Sequence, residues 1–278
     1  MVSTDSGTVD GGATVDASVS LDSGVTVDGG NEEWDWRDAG RPPSGTANDF
    51  LTRTFTATNG LVLPYRLYVP PSYDANRRYP LILFLHGAGE RGSDNRAQVG
   101  NALRLAGPSV QHVRPAFVVA PQAPSNSQWV DTPWSQGSYM LASVPPSRPM
   151  VATLELITLL GQQYNLDPTR LLITGLSMGG FGTWDAIMRN PRQFAAALPI
   201  CGGADPTRAP DLAPLPITTT HGTADAVVPI RGTREMVQAL RAAGGKPTFI
   251  EYQGVGHDVW SMTYADAAIM RWFISQHR

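Results

Sequence analysis

Gly175-Leu176-Ser177-Met178-Gly179 is the segment of this 278-residue chain whose residue types and spacing point most directly to chemistry. Gly-x-Ser-x-Gly is a weak signal alone, so its surroundings decide its meaning. An apolar run, Leu171-Leu-Ile-Thr174, precedes it, and a helical pattern from about Met178 to Arg189 follows at once. A strand turning that sharply into a helix lifts the serine hydroxyl clear of the sheet. It also leaves the Met178 N–H unpaired at a helix N-terminus, where it can stabilise charge on an oxygen. A serine hydroxyl is a poor nucleophile without a base. Of five histidines, His257 in Gly254-Val-Gly-His-Asp lies between the last strand and the final helix, at the carboxyl edge expected of the sheet. His86 and His221 each end an apolar strand before a glycine and are read as bonding nearby backbone; His112 and His277 are read as bystanders. Asp225, in a short loop after another strand, is the expected acid. Asp258 is its rival, but an adjacent residue cannot easily aim a carboxylate at the imidazole Nδ1. A second oxyanion donor is expected from the glycine-rich loop Leu85–Gly92, with the Ala88 N–H first and Gly89 in reserve.

These groups require elements to hold them. Arg53–Thr58 and Tyr65–Val69 read as two strands joined through the turn pair Asn59-Gly60. Leu81–Leu85 and Ala116–Ala120 are continuous apolar runs, as in strands buried on both faces. Val151–Tyr164 has apolar residues at helical spacing. Ala195–Ile200, Ile217–Thr220 and Thr248–Tyr252 supply further strands, and Thr233–Ala243 and Tyr264–Gln276 two amphipathic helices. This alternation predicts an α/β fold: a mostly parallel twisted sheet with helices on both faces and an antiparallel edge. Ligands in such sheets bind beyond the carboxyl ends of the strands. Only Cys201–Pro216 separates two of the strands, too short an interval for a cap domain. The irregular stretch Pro121–Pro149 is expected to wall an open cleft. Trp129 and Trp260 are candidate walls for an aromatic or sugar group, Glu90 and Gln122 candidate polar contacts, and Trp184 is read as core.

Composition narrows the class. With 21 Lys and Arg against 24 Asp and Glu, the net charge is −3, and no basic run recommends a nucleic-acid partner. No stretch approaches the roughly 20 apolar residues of a membrane span. The single cysteine precludes an internal disulfide, and neither a metal nor a cofactor is expected. Residues 1–31 form an acidic low-complexity tail without Lys or Arg: Asp10, Asp16, Asp22 and Asp28 recur at a loose six-residue period, with Asp5 ahead of them. The expected role is a spacer. Residues 32–49 read as a linker and 50–278 as a catalytic domain. Met1 is followed by no basic segment and apolar run, so export, the expected fate, would need a signal that this sequence lacks.

The joint pattern resembles a known family. It comprises His86-Gly-Ala-Gly-Glu-Arg-Gly92 with Asp94-Asn95, Gly175-Leu-Ser-Met-Gly-Gly180 with Gly182-Thr-Trp184, Pro199-Ile-Cys-Gly-Gly203, His221-Gly-Thr-Ala-Asp225 and Gly256-His-Asp-Val-Trp260. This is similar to bacterial α/β-hydrolases labelled predicted peptidases or poly(hydroxybutyrate) depolymerase-like esterases, close to the feruloyl and acetylxylan esterases of carbohydrate esterase family 1. The order serine, aspartate, histidine is the one that fold uses. The resemblance runs from about residue 50 to the end and implies a carboxylesterase with Ser177, Asp225 and His257 as its triad. The expected substrate is a short-chain, feruloyl or acetyl ester of plant polysaccharide or polyester; a peptidase or an acyltransferase would use the same triad.

Overall fold

From Leu81 to Leu85 the chain has no polar side chain, and such a run is stable as a strand only if both its faces are covered. In the computed structural model, which describes residues 45–278, it is the heart of β3 (Tyr79–Leu85), buried at every position. The expected tail and most of the linker lie outside the described residues.

Eight strands form one sheet: β1 (Phe50–Thr56), β2 (Val62–Tyr68), β3, β4 (Phe117–Pro121), β5 (Leu166–Leu176), β6 (Ala196–Ile200), β7 (Thr218–Gly222) and β8 (Thr248–Tyr252). Their spatial order is β1-β2-β4-β3-β5-β6-β7-β8. β1 pairs antiparallel with β2 and β2 with β4; every later pairing is parallel. Parallel pairing requires crossovers, and helices supply them. Short α1 (Val99–Ala102) and α2 (Pro108–Gln111) join β3 to β4, and α3 (Arg148–Gln163) leads into β5. α4 (Met178–Arg189) joins β5 to β6, one-turn α5 (Ala209–Leu212) lies before β7, and α6 (Ile230–Ala242) joins β7 to β8. α7 (Trp260–Ala265) and α8 (Ala267–Ser275) close the chain.

The two-residue period of a strand sorts its side chains between two cores. Leu81, Leu83 and Leu85 join Phe117, Val119 and Ile173 against α3, α4 and α6. Ile82 and Phe84 join Val118, Ala120 and Leu172 against α1, α2 and α8. This is the α/β-hydrolase architecture, and between β6 and β7 the described residues include no cap domain.

β1, β2, β5 and α6 each begin three to five residues before the expected start, and two further differences have identifiable physical reasons. α3 starts at Arg148 rather than Val151, because Ser147 caps it by accepting from the Met150 N–H and Pro149 fits a first turn. The single helix expected over Tyr264–Gln276 is two. Asp266 takes an extended conformation and accepts from the N–H groups of Ala268 and Ile269, so it ends α7 and caps α8.

Candidate active site

The β5–α4 turn is tightly constrained. Ser177 sits at φ 54° and ψ −118°, a left-handed region that costs a non-glycine residue about 1–3 kcal/mol. The turn closes only because its neighbours are small. A Cβ on Gly179 would lie 1.9 Å from the Leu85 carbonyl oxygen, and one on Gly175 2.4 Å from that of Gly179. Two hydrogen bonds hold the strained residue: the Ser177 N–H donates to Ile200 O at 2.9 Å, and its carbonyl accepts from Phe181 at 3.1 Å.

Two loops at the same edge bring the other groups to it. The loop after β7 carries Asp225 and the loop after β8 carries His257. They are stitched together by Thr223 N–H to Tyr252 O, Ala224 N–H to Val255 O, and Gly254 N–H to Thr223 Oγ1. His257 Nε2 lies 2.8 Å from Ser177 Oγ, and its Nδ1 lies 2.7 Å from Asp225 Oδ2. A carboxylate can only accept from Nδ1, so Nδ1 carries the proton and Nε2 is free to take one from the serine. Ser177, His257 and Asp225 thus form one hydrogen-bonded run.

Asp225 is held more firmly than its spacing from His257 suggests. Its side chain is fully buried. Oδ1 accepts from the N–H groups of Val227 and Val228, and Oδ2 accepts a second imidazole, His221 Nε2, at 3.1 Å. Burial alone would push this carboxyl up. The hydrogen bonds from His221, His257, Val228 and Val227 outweigh it and hold Asp225 well below the usual carboxylate range. The proton on His221 Nε2 is fixed by its surroundings, since both atoms it faces, Asp225 Oδ2 and Val228 O, are acceptors. Its Nδ1 meets Thr233 Oγ1 of α6 at 2.8 Å. His221 therefore reaches the acid and not only nearby backbone. The His-x-x-x-Asp spacing across a tight turn was the available signal. Behind the pair, the buried Cys201 thiol donates to His257 O at 3.3 Å; burial and the Asp225 charge push it up, so it stays protonated.

Among the other sequence candidates, Trp260 stands at the site, its ring edge-on to that of His257 with 5.2 Å between ring centroids. Asp258 is exposed and accepts from Ser261 instead. Trp129 and Gln122 are corrections. Both are 0% exposed and offer a substrate no surface. Trp129 packs on Gly182 of α4, and its Nε1–H donates to His86 O at 3.0 Å. Gln122 accepts from Asn95 N–H and donates to Glu90 O and Asp94 Oδ1, which ties the loop after β3 to the sheet. Glu90 is half-buried: burial raises its carboxyl pKa against the pull of the Gly87 and Glu90 N–H groups and the Asn101 side chain. It faces its own loop. The Pro121–Pro149 stretch is anchored over α4, with Tyr139 OH donating to buried Asp185, which also pairs with Arg189 at 2.7 Å.

His86 does bond nearby backbone. Its Nε2 accepts from the Ala123 N–H at 3.0 Å, so Nδ1 bears the proton and donates to Gly87 O at 2.6 Å. Burial, only partly offset by that carbonyl, pushes its pKa from 6.5 down to about 4. The unfolded chain therefore binds a proton that the native state refuses. Stability is complete above about pH 6.5 and falls as pH drops toward 4, by up to about 3 kcal/mol from this group. Thermal unfolding between pH 7.5 and 4.5 should show wild type losing more than His86→Asn. Equal losses would mean that the imidazole is not held neutral.

Residues 61–257 match the family described as "Putative esterase". The chain belongs to this esterase family. With it, the protein is a carboxylic ester hydrolase of α/β-hydrolase fold. The esterase is 41% identical to a thermostable esterase of known crystal structure, with a TM-score of 0.77 over 83% of this chain and 64% of that one. It is 25% identical over 193 residues to a probable carboxylesterase of Oryza sativa subsp. japonica, covering 64% of this chain and 81% of the relative. The feruloyl esterase module from Clostridium thermocellum solved with sinapinate shares the fold at 17% identity, with a TM-score of 0.60 over 86% of this chain and 92% of that one.

Proposed function

We propose that this esterase hydrolyses carboxylic esters through a covalent acyl-serine, with short-chain, feruloyl or acetyl esters of plant polysaccharide or polyester as its substrates. The observation that carries this reading is the unbroken run from Ser177 Oγ through His257 to Asp225, set at the end of a strained turn. Ser177 Oγ attacks the ester carbonyl while His257 Nε2 takes its proton. Asp225 keeps the imidazole in the Nδ1–H tautomer and stabilises the imidazolium that forms. The negative charge on the former carbonyl oxygen is received by the N–H groups of Met178, at the first turn of α4, and Ala88, in the loop after β3. His257 then returns its proton to the departing alkoxide. Water, activated by the same imidazole, cleaves the acyl-enzyme and frees the serine.

The substrate class rests on the openness of the site and on the kinds of protein that share the fold. With no cap among the described residues, an ester on a polymer side chain can reach Ser177, and Trp260 beside His257 offers an aromatic face. A polymeric substrate would place the enzyme outside the cell that makes it. The reading is tested by rates measured side by side on feruloyl esters, acetylated xylan, short-chain p-nitrophenyl esters and aminoacyl amides. The ester rates are expected to exceed the amide rates by at least about 10²-fold, since an amide is the harder bond to break. Amide hydrolysis as fast as ester hydrolysis would make the protein a peptidase instead.

A further inference from the structure

The loop between β3 and the Gly92 turn has three consecutive carbonyls, and a side chain holds each of them. Trp129 Nε1–H donates to His86 O at 3.0 Å, His86 Nδ1–H to Gly87 O at 2.6 Å, and Arg91 Nε–H to Ala88 O at 2.9 Å. A trans peptide is rigid and planar, with its carbonyl and the following N–H on opposite sides. Fixing those oxygens therefore fixes the directions of the N–H groups of Gly87, Ala88 and Gly89. The Glu90 carboxylate takes the first of the three. The Ala88 and Gly89 N–H groups are left with no acceptor among the described residues.

We propose that His86 and Trp129 are positioning residues for the oxyanion site, holding the Gly87–Ala88 peptide so that the Ala88 N–H faces the reacting oxygen. The inference rests on the acyl-serine reading of this site and adds to it the part that keeps one donor preorganised. Three observations on His86 support it. The ring is fully buried, so the Nδ1–H has no water to compete for it. Its other nitrogen is committed to the Ala123 N–H, two residues beyond β4, which prevents the tautomer that could not donate to Gly87. Burial lowers its pKa to about 4, so the ring is neutral at the pH where the ester is attacked. Trp129 closes the bracket from the other side, with its ring 5.2 Å from the imidazole in an edge-on contact. An indole that looked suited to gripping a substrate instead grips the backbone beneath the loop.

An N–H that is present but misaimed loses its value only in the transition state, so the effect belongs in kcat and not in KM. Four variants of the full chain separate the possibilities on p-nitrophenyl acetate. His86→Leu removes the donor and should lower kcat by about 10- to 100-fold, with KM within about twofold; complete loss of an oxyanion donor sets the upper scale. His86→Asn, whose side-chain NH₂ can take the place of Nδ1–H, should recover most of that loss. Trp129→Phe keeps an aromatic ring at this buried position but deletes the indole N–H together with the five-membered ring; a kcat loss of about threefold or more is expected. Each variant should also bind phenylboronic acid, which forms a tetrahedral adduct on serine, more weakly by a factor matching its kcat loss. If His86→Leu does not fold, His86→Asn and Trp129→Phe decide the matter. The proposal is overturned if kcat and boronate affinity stay within twofold in the folded variants, or if KM alone moves. Ser177→Ala is the fourth variant. Should it retain activity, the acyl-serine reading itself fails, whatever the loop variants do. Should it be inactive while the loop variants are unaffected, only the bracket is wrong.

Discussion

Ser177→Ala should lower kcat for p-nitrophenyl acetate by about 10⁶-fold, the scale seen when a hydrolase loses its nucleophile, and should abolish labelling by a fluorophosphonate probe. The change removes one oxygen from the end of the run to His257 and Asp225 and leaves the rest in place. Alanine at φ 54° has the same backbone strain as serine, and the supporting bonds to Ile200 O and from Phe181 N–H are backbone bonds that the variant keeps. Thermal unfolding should therefore be nearly unchanged. That separation makes the experiment decisive: an inactive protein that melts like wild type has lost chemistry and not structure. Full retention of either hydrolysis or labelling would remove Ser177 from the mechanism.

Asp225→Asn is expected to cost about 10⁴-fold in kcat, and here stability should suffer as well. All four hydrogen bonds to this carboxylate come from donors: His257 and His221 on Oδ2, and the Val227 and Val228 N–H groups on Oδ1. An amide must turn its NH₂ toward one of the two pairs, so a buried donor faces donors whichever way it points. The penalty for such a mismatch is about 1–3 kcal/mol. Facing the histidines, the NH₂ would also drive His257 to the opposite tautomer, with Nδ1 accepting and Nε2 already protonated against the serine. The pH dependence has a defined sign. Because the folded carboxyl is held below its usual range, its contribution to stability is present above about pH 4, the ordinary aspartate value, and is lost as pH falls further. Wild type and variant should therefore differ most near neutrality and converge in acid. Activity within tenfold of wild type, with Asp258→Asn inactive instead, would transfer the acid's role to Asp258.

How much could be read in advance depended on whether local or long-range physics decided the feature. α4 and β8 span the residues expected, Met178–Arg189 and Thr248–Tyr252, because glycine or proline flanks a clean periodic run. The break between α7 and α8 was hidden, since Asp266 reads equally well as a solvated position on one longer helix and as a cap. Trp129 and Gln122 were misread for a related reason. An indole and a primary amide suit a sugar-binding cleft, and they suit equally well a buried bracket whose polar atoms are all paired. Residue type does not distinguish the two; packing does. His221 reads as a backbone-bonding residue because the His-x-x-x-Asp spacing, the one local signal, does not by itself show that the turn folds the Asp225 carboxylate back onto its ring.

By itself the sequence determined the sheet, its antiparallel edge, the tight turn at Ser177 and the three loops that end at one rim. Those features follow from hydrophobic period, glycine placement and chain order, which are properties of short segments. Only the tertiary structure decided which polar groups meet: that Asp225 serves two histidines, that Cys201 backs His257, and that Trp129 and His86 hold the loop of Ala88 from beneath. Hydrogen bonds act over about 3 Å, and the residues that make these bonds are as much as 56 positions apart in the chain. Their partners exist only once both cores have closed on the sheet.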